Sequence, residues 1–196
     1  ITPPGVVGTV PVVLTGTFGV LVESGTLQFT FVEDATVSTI APCTGSMSGG
    51  SVVLVAGSDF GTGSQCMFGS IVAAGVTLVS STQLACTSPT ASTSGLVSVT
   101  VTTDGWAPSG GGVLFDYVEA MVVDAMVPST GWDSGGTAIT MIGSGFLGDG
   151  VICQFGKEQV TSLETTSSTV VCMSPQHPAG NVTVGLSANK VDFVHV

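Results

Sequence analysis

Short runs rich in valine and threonine recur along the chain, separated by glycine, proline and serine. Four of them lie at residues 51–57, 96–102, 137–143 and 182–186. From Asn181 to Leu186 polar and apolar residues alternate, as they do in a half-buried β-strand. No stretch has the 3.6-residue apolar period of an amphipathic helix. The pattern predicts an all-β chain of short strands and frequent turns, which is typical of β-sandwiches.

The same features occur twice in the same order, which indicates an internal repeat. Ile40-Ala41-Pro42 and Gly49-Gly50 recur 86 residues later as Met126-Val127-Pro128 and Gly135-Gly136. Cys66-Met67-Phe68-Gly69 and Cys86-Thr87-Ser88-Pro89 recur as Cys153-Gln154-Phe155-Gly156 and Cys172-Met173-Ser174-Pro175. The sequence therefore predicts two domains, residues 34–119 and 120–196.

A third, partial copy precedes these two domains. Phe29-Thr30-Phe31-Val32-Glu33 matches Phe115-Asp116-Tyr117-Val118-Glu119, again 86 residues apart. We therefore expect residues 1–33 to be the C-terminal part of an incomplete repeat. Its missing part is supplied either by upstream sequence or by another subunit, and both alternatives stay open.

The order of these motifs resembles the IPT/TIG domains, a family with an immunoglobulin-like (E-set) fold found in plexins, receptor ectodomains and transcription factors. The motifs are a proline after the first strand, Gly-Gly, Cys-x-Phe-Gly, Cys-x-x-Pro and a closing aromatic strand. The resemblance covers essentially the whole chain and implies tandem immunoglobulin-like β-sandwiches. It implies no single function, because the family serves adhesion, signalling, DNA binding and spacing.

The five cysteines indicate an oxidising compartment. Cys66 and Cys86 are 20 residues apart, Cys153 and Cys172 are 19 apart, and both pairs occupy equivalent places in the repeat. We interpret each pair as an intradomain disulfide, and hence the protein as extracellular or on the cell surface. Buried free thiols are the alternative, and zinc is disfavoured because no close cysteine pair occurs. Cys43 aligns with a serine, so it is unpaired, bridges to another chain, or pairs with a cysteine outside this segment.

Charge limits the partners of the protein. It has 2 basic and 13 acidic residues and a formal net charge of -11, which excludes nucleic acid and anionic membrane surfaces as partners. The mean hydropathy is +0.63, yet the apolar runs are too short to span a bilayer. We therefore expect no membrane insertion in this segment. With so few charges, solubility must come from attached sugars, from burial in an assembly, or from serine and threonine hydroxyls.

Two kinds of glycosylation site are predicted. Asn181-Val182-Thr183 is an N-glycosylation sequon. A serine, threonine and proline tract is a candidate for O-linked sugar, at Thr87, Ser88, Thr90, Ser92, Thr93 and Ser94. The alternative for both is an unmodified polar loop.

Catalysis has no support in the sequence. The two histidines, His177 and His195, show no base held beside a nucleophile, and no metal or cofactor is expected. We predict a non-catalytic structural repeat protein that forms an extracellular rod or filament from copies of itself, with covalent glycans. The alternatives are a receptor or adhesion ectodomain that binds a protein ligand, and a non-catalytic spacer of a carbohydrate-active enzyme.

Overall fold

The computed structural model of the protein describes residues 7–11, 14–16, 19–22, 28–31, 33–103, 108–109, 112–146 and 150–196. Every regular element in these ranges is a β-strand, which confirms the predicted all-β fold class. The described part of the chain therefore holds no helix of the length and apolarity that crossing a bilayer requires.

The N-terminal part of the chain contains two separate pairs of short antiparallel strands. β1 (Gly8–Pro11) pairs with β4 (Gln28–Phe31), and β2 (Leu14–Gly16) pairs with β3 (Gly19–Val22). The predicted partial repeat also includes residues 1–6, 12–13, 17–18, 23–27 and 32, which lie outside the described residues. Its assignment to residues 1–33 stays a prediction.

The first domain is a sandwich of two sheets. Its strands are β5 (Thr36–Ala41), β6 (Thr44–Ser46), β7 (Val52–Ser58), β8 (Ser64–Phe68), β9 (Ile71–Val72), β10 (Gly75–Ser80), β11 (Gln83–Thr87), β12 (Gly95–Thr103) and β13 (Val113–Val118). One sheet has the order β10-β11-β7-β5 and the other the order β6-β13-β12-β8-β9. Neighbouring strands are antiparallel except for β6 and β13, which are parallel.

The second domain repeats this arrangement with fewer strands. They are β14 (Val122–Val127), β15 (Ala138–Ser144), β16 (Ile152–Phe155), β17 (Glu158–Thr161), β18 (Glu164–Thr165), β19 (Thr169–Met173), β20 (Val184–Ser187) and β21 (Val194–His195). The sheets have the orders β14-β15-β19-β18 and β17-β16-β20-β21. Among its described residues, the second domain has no strand at the place that β6 holds in the first.

Alternation of side chains along each strand builds the two cores. In β7, Val53 and Val55 are fully buried, whereas the alternate residues Val52 and Leu54 face outward. This period of two is what one buried sheet face requires. Each domain has its own apolar cluster, and none of the buried members of one cluster lies in the other domain.

Each Gly-Gly pair forms a turn whose backbone suits glycine alone. Gly49 has φ of 71° and Gly135 has φ of 79°, both in the left-handed region. A Cβ on Gly49 would lie 2.8 Å from the backbone carbon of Pro89, and a Cβ on Gly135 would lie 2.7 Å from the backbone nitrogen of Gln176. The positive φ and the close backbone contact together explain why both copies of the repeat have glycine here.

Candidate functional site

A disulfide joins the two sheets of each domain. Cys66 on β8 is bonded to Cys86 on β11, and Cys153 on β16 is bonded to Cys172 on β19, with Cα–Cα distances of 6.3 and 6.5 Å. All four cysteines are fully buried. Each bond closes a loop of a length that contributes about 3 kcal/mol in the chain-entropy model.

Cys43 lies on the surface of the first domain as an exposed free cysteine. It follows a cis proline, Pro42, and its backbone carbonyl accepts a hydrogen bond from the Asp116 backbone N–H at 2.8 Å. Its thiol is therefore accessible to another chain. An intermolecular bridge through it stays a prediction.

The predicted glycosylation residues differ in accessibility. Asn181 is exposed just before β20, and Thr90, Ser92, Thr93 and Ser94 are also exposed. Thr87 is half-buried at the end of β11.

Ser88 requires a correction to the predicted O-glycosylation tract. It is 1% exposed, and its hydroxyl oxygen accepts a hydrogen bond from the Ser51 backbone N–H at 3.1 Å. A sugar on this oxygen would have to displace that buried bond, so Ser88 is unavailable in the folded domain.

The two histidines lie apart from other reactive groups. His177 is in the loop after β19, where its Nδ1 lies 2.8 Å from the Pro178 carbonyl oxygen, and His195 is in β21. Within the described ranges, no three His, Cys, Asp or Glu side chains are grouped so that they could hold a metal ion.

The last strand of the first domain fills the end of its core with two aromatic rings. Phe115 and Tyr117 point inward from β13 and are 0% and 2% exposed. The Phe115 ring lies edge-on to Phe68, with centroids 5.2 Å apart, and edge-on to Tyr117 at 5.0 Å. The Tyr117 hydroxyl donates to the Pro89 carbonyl at 2.9 Å. Burial raises the pKa of Tyr117 above its ordinary value.

The second domain has an open cleft where these two rings would lie. Val196 donates its backbone N–H to the Val184 carbonyl at 2.9 Å. Val196 and Val184 therefore correspond to Val113 and Val99, which lie opposite each other in the first domain. Counterparts of Leu114–Val118 are not among residues 121–196. The cleft has a volume of ≈ 390 Å³. We call it the open slot.

The walls of the open slot are the counterparts of residues that surround Phe115 and Tyr117. Phe155, Pro175 and Val182 line it, and they correspond to Phe68, Pro89 and Val97. Gly131 also lines it and is exposed. The counterpart of Gly131 is Gly45, which is buried, and a Cβ built on Gly45 would lie 2.7 Å from the Phe115 ring.

Both edges of the open slot lack a paired strand. In the first domain β12 begins at Gly95, which pairs with Tyr117 of β13. In the second domain the equivalent residues 180–183 are in no strand, and β20 begins only at Val184. Residues 130–132, the counterpart of β6, are also in no strand. Strand β20 therefore begins two residues after the start of the run predicted at 182–186.

The N-terminal strand β4 has the pattern of the strand that the open slot lacks. Phe29 and Phe31 correspond to Phe115 and Tyr117, and Gly8 lies opposite Phe31 as Gly95 lies opposite Tyr117. Phe29 is 42% exposed. The structure thus holds one strand that carries the aromatic pair and one slot shaped for such a pair.

Sequence reasoning missed the open slot, although a signal for it was present. The aromatic pair of the repeat occurs at residues 29–31 and 115–117. Only the strand register shows which core positions these aromatics fill.

The comparisons with known proteins agree with this fold. The family model described as the IPT/TIG domain matches residues 35–117 and 121–195, which together are well over half of the chain. No curated protein sequence matches the chain.

Solved structures with the same fold include the full extracellular region of Plexin A4, domains 1 to 10. It has 20% sequence identity and a TM-score of 0.50 over 86% of this chain, and the match covers 16% of that protein's chain. SGBP-B of the mixed-linkage glucan utilization locus of Bacteroides ovatus, solved with a mixed-linkage heptasaccharide, has 15% identity and a TM-score of 0.39. That match covers 84% of this chain and 42% of SGBP-B. At 20% identity the likeness to Plexin A4 is one of fold.

Proposed function

The chain belongs to the IPT/TIG domain family, and we propose that it is a non-catalytic structural repeat protein. Copies of it assemble with one another into an extracellular rod or filament. The observation that carries the proposal is the open slot at the end of the second domain, together with β4 at the start of the chain. The contact is head to tail, with β4 of one copy seated in the open slot of the next.

The open slot suits an inserted strand because, among the described residues, no strand pairs with the outer edge of residues 180–183, and because Phe155, Pro175 and Val182 line it. An added strand would gain main-chain hydrogen bonds along residues 180–183, and its inward side chains would reach the apolar walls. Unpaired strand edges invite this kind of pairing. The occupied slot of the first domain gives the geometry, with Phe29 and Phe31 taking the places of Phe115 and Tyr117.

The chemistry of β4 favours insertion into a strongly acidic partner. Its residues, Gln-Phe-Thr-Phe, carry no charge, so they add no repulsion to a chain of net charge -11. To insert, β4 must exchange its pairing with β1 for pairing with residues 180–183. The β1–β4 ladder is two strands of four residues, and such isolated pairs are at best marginally stable. The exchange therefore costs little.

The connection after β4 gives the assembly its direction. Residues 32–35 follow Phe31 as residues 118–121 follow Tyr117, so an inserted β4 brings the first domain of its own chain directly behind it. Each contact then joins the end of one copy to the start of the next. Head-to-tail contacts of this type, if they do not close into a ring, generate filaments.

Two further observations support an extracellular, glycosylated material. Two buried disulfides are expected in an oxidising compartment. The chain has only 8% charged residues, against roughly 25% in typical soluble domains. Sugars at Asn181 and at the exposed part of the 87–94 tract, combined with burial in a rod, account for that low charge.

The side chain of Asn181 is compatible with an occupied slot. Its counterpart in the first domain is Leu96, which stays 64% exposed even though β13 runs beside it. An inserted strand would therefore leave a glycan on Asn181 free to point into solvent.

An engineered disulfide tests the strand insertion. Ser98 and Leu114 lie opposite each other in β12 and β13, so the equivalent pair between copies is Thr183 and Gln28. Cα atoms of opposed antiparallel residues are about 4.5–5.5 Å apart, which a disulfide can bridge. In a Cys43→Ser background, we expect Gln28→Cys with Thr183→Cys to give a ladder of covalent oligomers on non-reducing gels.

Two controls make the result specific. Thr183→Cys alone alters the sequon equally but leaves Gln28 in place, so the new thiol has no partner thiol in the neighbouring copy. This variant should remain monomeric on the gel. Gln28→Cys with Ser98→Cys places the second thiol in the first domain, where β13 already fills the slot. Equal cross-linking of the Ser98 and Thr183 pairs would contradict insertion into the open slot.

Electron microscopy of the native material, with intact-mass analysis, tests the assembly itself. We expect regular filaments and a mass above 19.4 kDa per chain that falls after deglycosylation. Discrete monomers at the bare polypeptide mass would overturn the filament and favour an ectodomain or a spacer. Filaments without the Gln28–Thr183 cross-link would instead mean that a continuous longer chain supplies the strand.

A further inference from the structure

The turn between β20 and β21 in the second domain has a shape fixed by one side chain. Asn189 Oδ1 accepts hydrogen bonds from the backbone N–H groups of Val191 at 3.0 Å and Asp192 at 2.8 Å, and from the Ser187 hydroxyl at 3.2 Å. Lys190 at the apex has φ of 67°. Such turns, closed by an asparagine on its own backbone, are stable local structures.

The same turn reaches across to the first domain. Asn189 Nδ2 donates to the Thr44 carbonyl oxygen of β6 at 3.1 Å. Asp192 Oδ2 accepts from the Ser51 hydroxyl at 2.6 Å and from Asn189 Nδ2 at 2.8 Å. The asparagine therefore holds its own turn with its oxygen and the neighbouring domain with its nitrogen.

These two bonds are the only hydrogen bonds between the two domains in the described part of the chain. The apolar clusters stay within their domains, and residues 119–121 alone connect β13 to β14. Domains joined by small polar contacts move relative to each other by default. The orientation of the second domain relative to the first must then depend on these two hydrogen bonds.

The Ser51–Asp192 bond is suited to this role because it is charge-assisted and sheltered. Ser51 is 2% exposed, and its hydroxyl is committed to the carboxylate. Hydrogen bonds to an ionised acceptor are shorter and stronger than neutral ones.

We propose that Asn189 and Asp192 form a latch that fixes the angle between the two domains by docking on Thr44 and Ser51. The latch makes the pair of domains one stiff unit. This inference does not depend on whether copies assemble, since it concerns contacts within one chain.

Distance measurements by electron spin resonance test the latch. Spin labels at Ser81→Cys and Ser167→Cys, in a Cys43→Ser background, sit on exposed and equivalent turns of the two domains. We expect a narrow distance distribution in the parent protein. Ser51→Ala and Asn189→Asp should each broaden it, since losing a hydrogen bond to a charged group raises the unlatched population on the order of tenfold or more. Asn189→Asp keeps the turn acceptor but loses the donor to Thr44.

A matched control comes from the repeat. Thr137 is the counterpart of Ser51, and its hydroxyl accepts from the Trp132 backbone N–H inside the second domain. Thr137→Ala should leave the distribution narrow. An unchanged width in both latch variants, each folded as judged by its thermal unfolding, would overturn the proposal, as would an equally broad distribution in the Thr137 variant.

Discussion

Replacing Phe115 with alanine should open a cavity in the first domain at the place that corresponds to the open slot. The Phe115 side chain is fully buried between the sheets and makes edge-on contacts with Phe68 and Tyr117. Truncation of a buried phenylalanine costs about 3–5 kcal/mol, and aromatic pairs add about 0.5–1.5 kcal/mol beyond area. We expect a loss near the upper end, about 4–5 kcal/mol, which is a large part of the roughly 5–15 kcal/mol that holds a typical domain.

Urea unfolding of the whole chain, followed by a signal from each domain, measures this loss. The transition of the first domain should move to lower urea while that of the second stays in place, because the two cores share no buried residue. Leu114→Ala is the matched control, since Leu114 directly precedes Phe115 in β13 and is 54% exposed. It should change stability by about 0.5 kcal/mol or less. A Phe115→Ala loss as small as that of Leu114→Ala would refute the assignment of the slot.

Three further predictions concern the stability of single domains. Asp59 has φ of 60°, and its counterpart in the second domain is Gly145. Asp59→Gly should therefore stabilise the first domain by about 1 kcal/mol, whereas Gly145→Asp should destabilise the second domain by about 1–3 kcal/mol. Thermal unfolding measures both changes. Replacing both half-cystines of the second domain's disulfide with alanine should cost about 3 kcal/mol, and a loss near zero in urea would contradict it. Because burial raises the pKa of Tyr117 in the fold, its contribution is present below the unfolded pKa of about 10 and lost as pH rises beyond it. The fall in urea midpoint above that pH should be smaller in Tyr117→Phe, and an equal fall in both would count against the burial effect.

Much of the fold follows from the sequence because the repeat supplies its own alignment. The Gly-Gly pairs mark the same turn twice, and both are held at positive φ. Predicted strands at residues 51–57 and 137–143 lie within one residue of β7 and β15. Turn glycines and strand periodicity are local properties, so one sequence is enough to locate them.

The features that the sequence did not predict depend on contacts between distant segments. Burial of Ser88 depends on the backbone of Ser51, 37 residues away. The latch joins Asp192 to Ser51, 141 residues apart. Neither residue type nor local pattern distinguishes these side chains from exposed ones, since serine and aspartate are common in loops. Only the packing of two sheets and two domains brings them together.

The open slot and the latch surface belong to the same end of the repeat. In the first domain that end carries both the occupied slot and the Thr44 and Ser51 groups that receive the second domain. In the second domain the counterparts, Thr130 and Thr137, lie beside the open slot, with Thr130 on its wall. A copy whose β4 enters the slot brings its first domain to that surface. The end of the first domain offers both strand pairing and side-chain docking, and we propose that the joint within the chain is the pattern for a joint between copies.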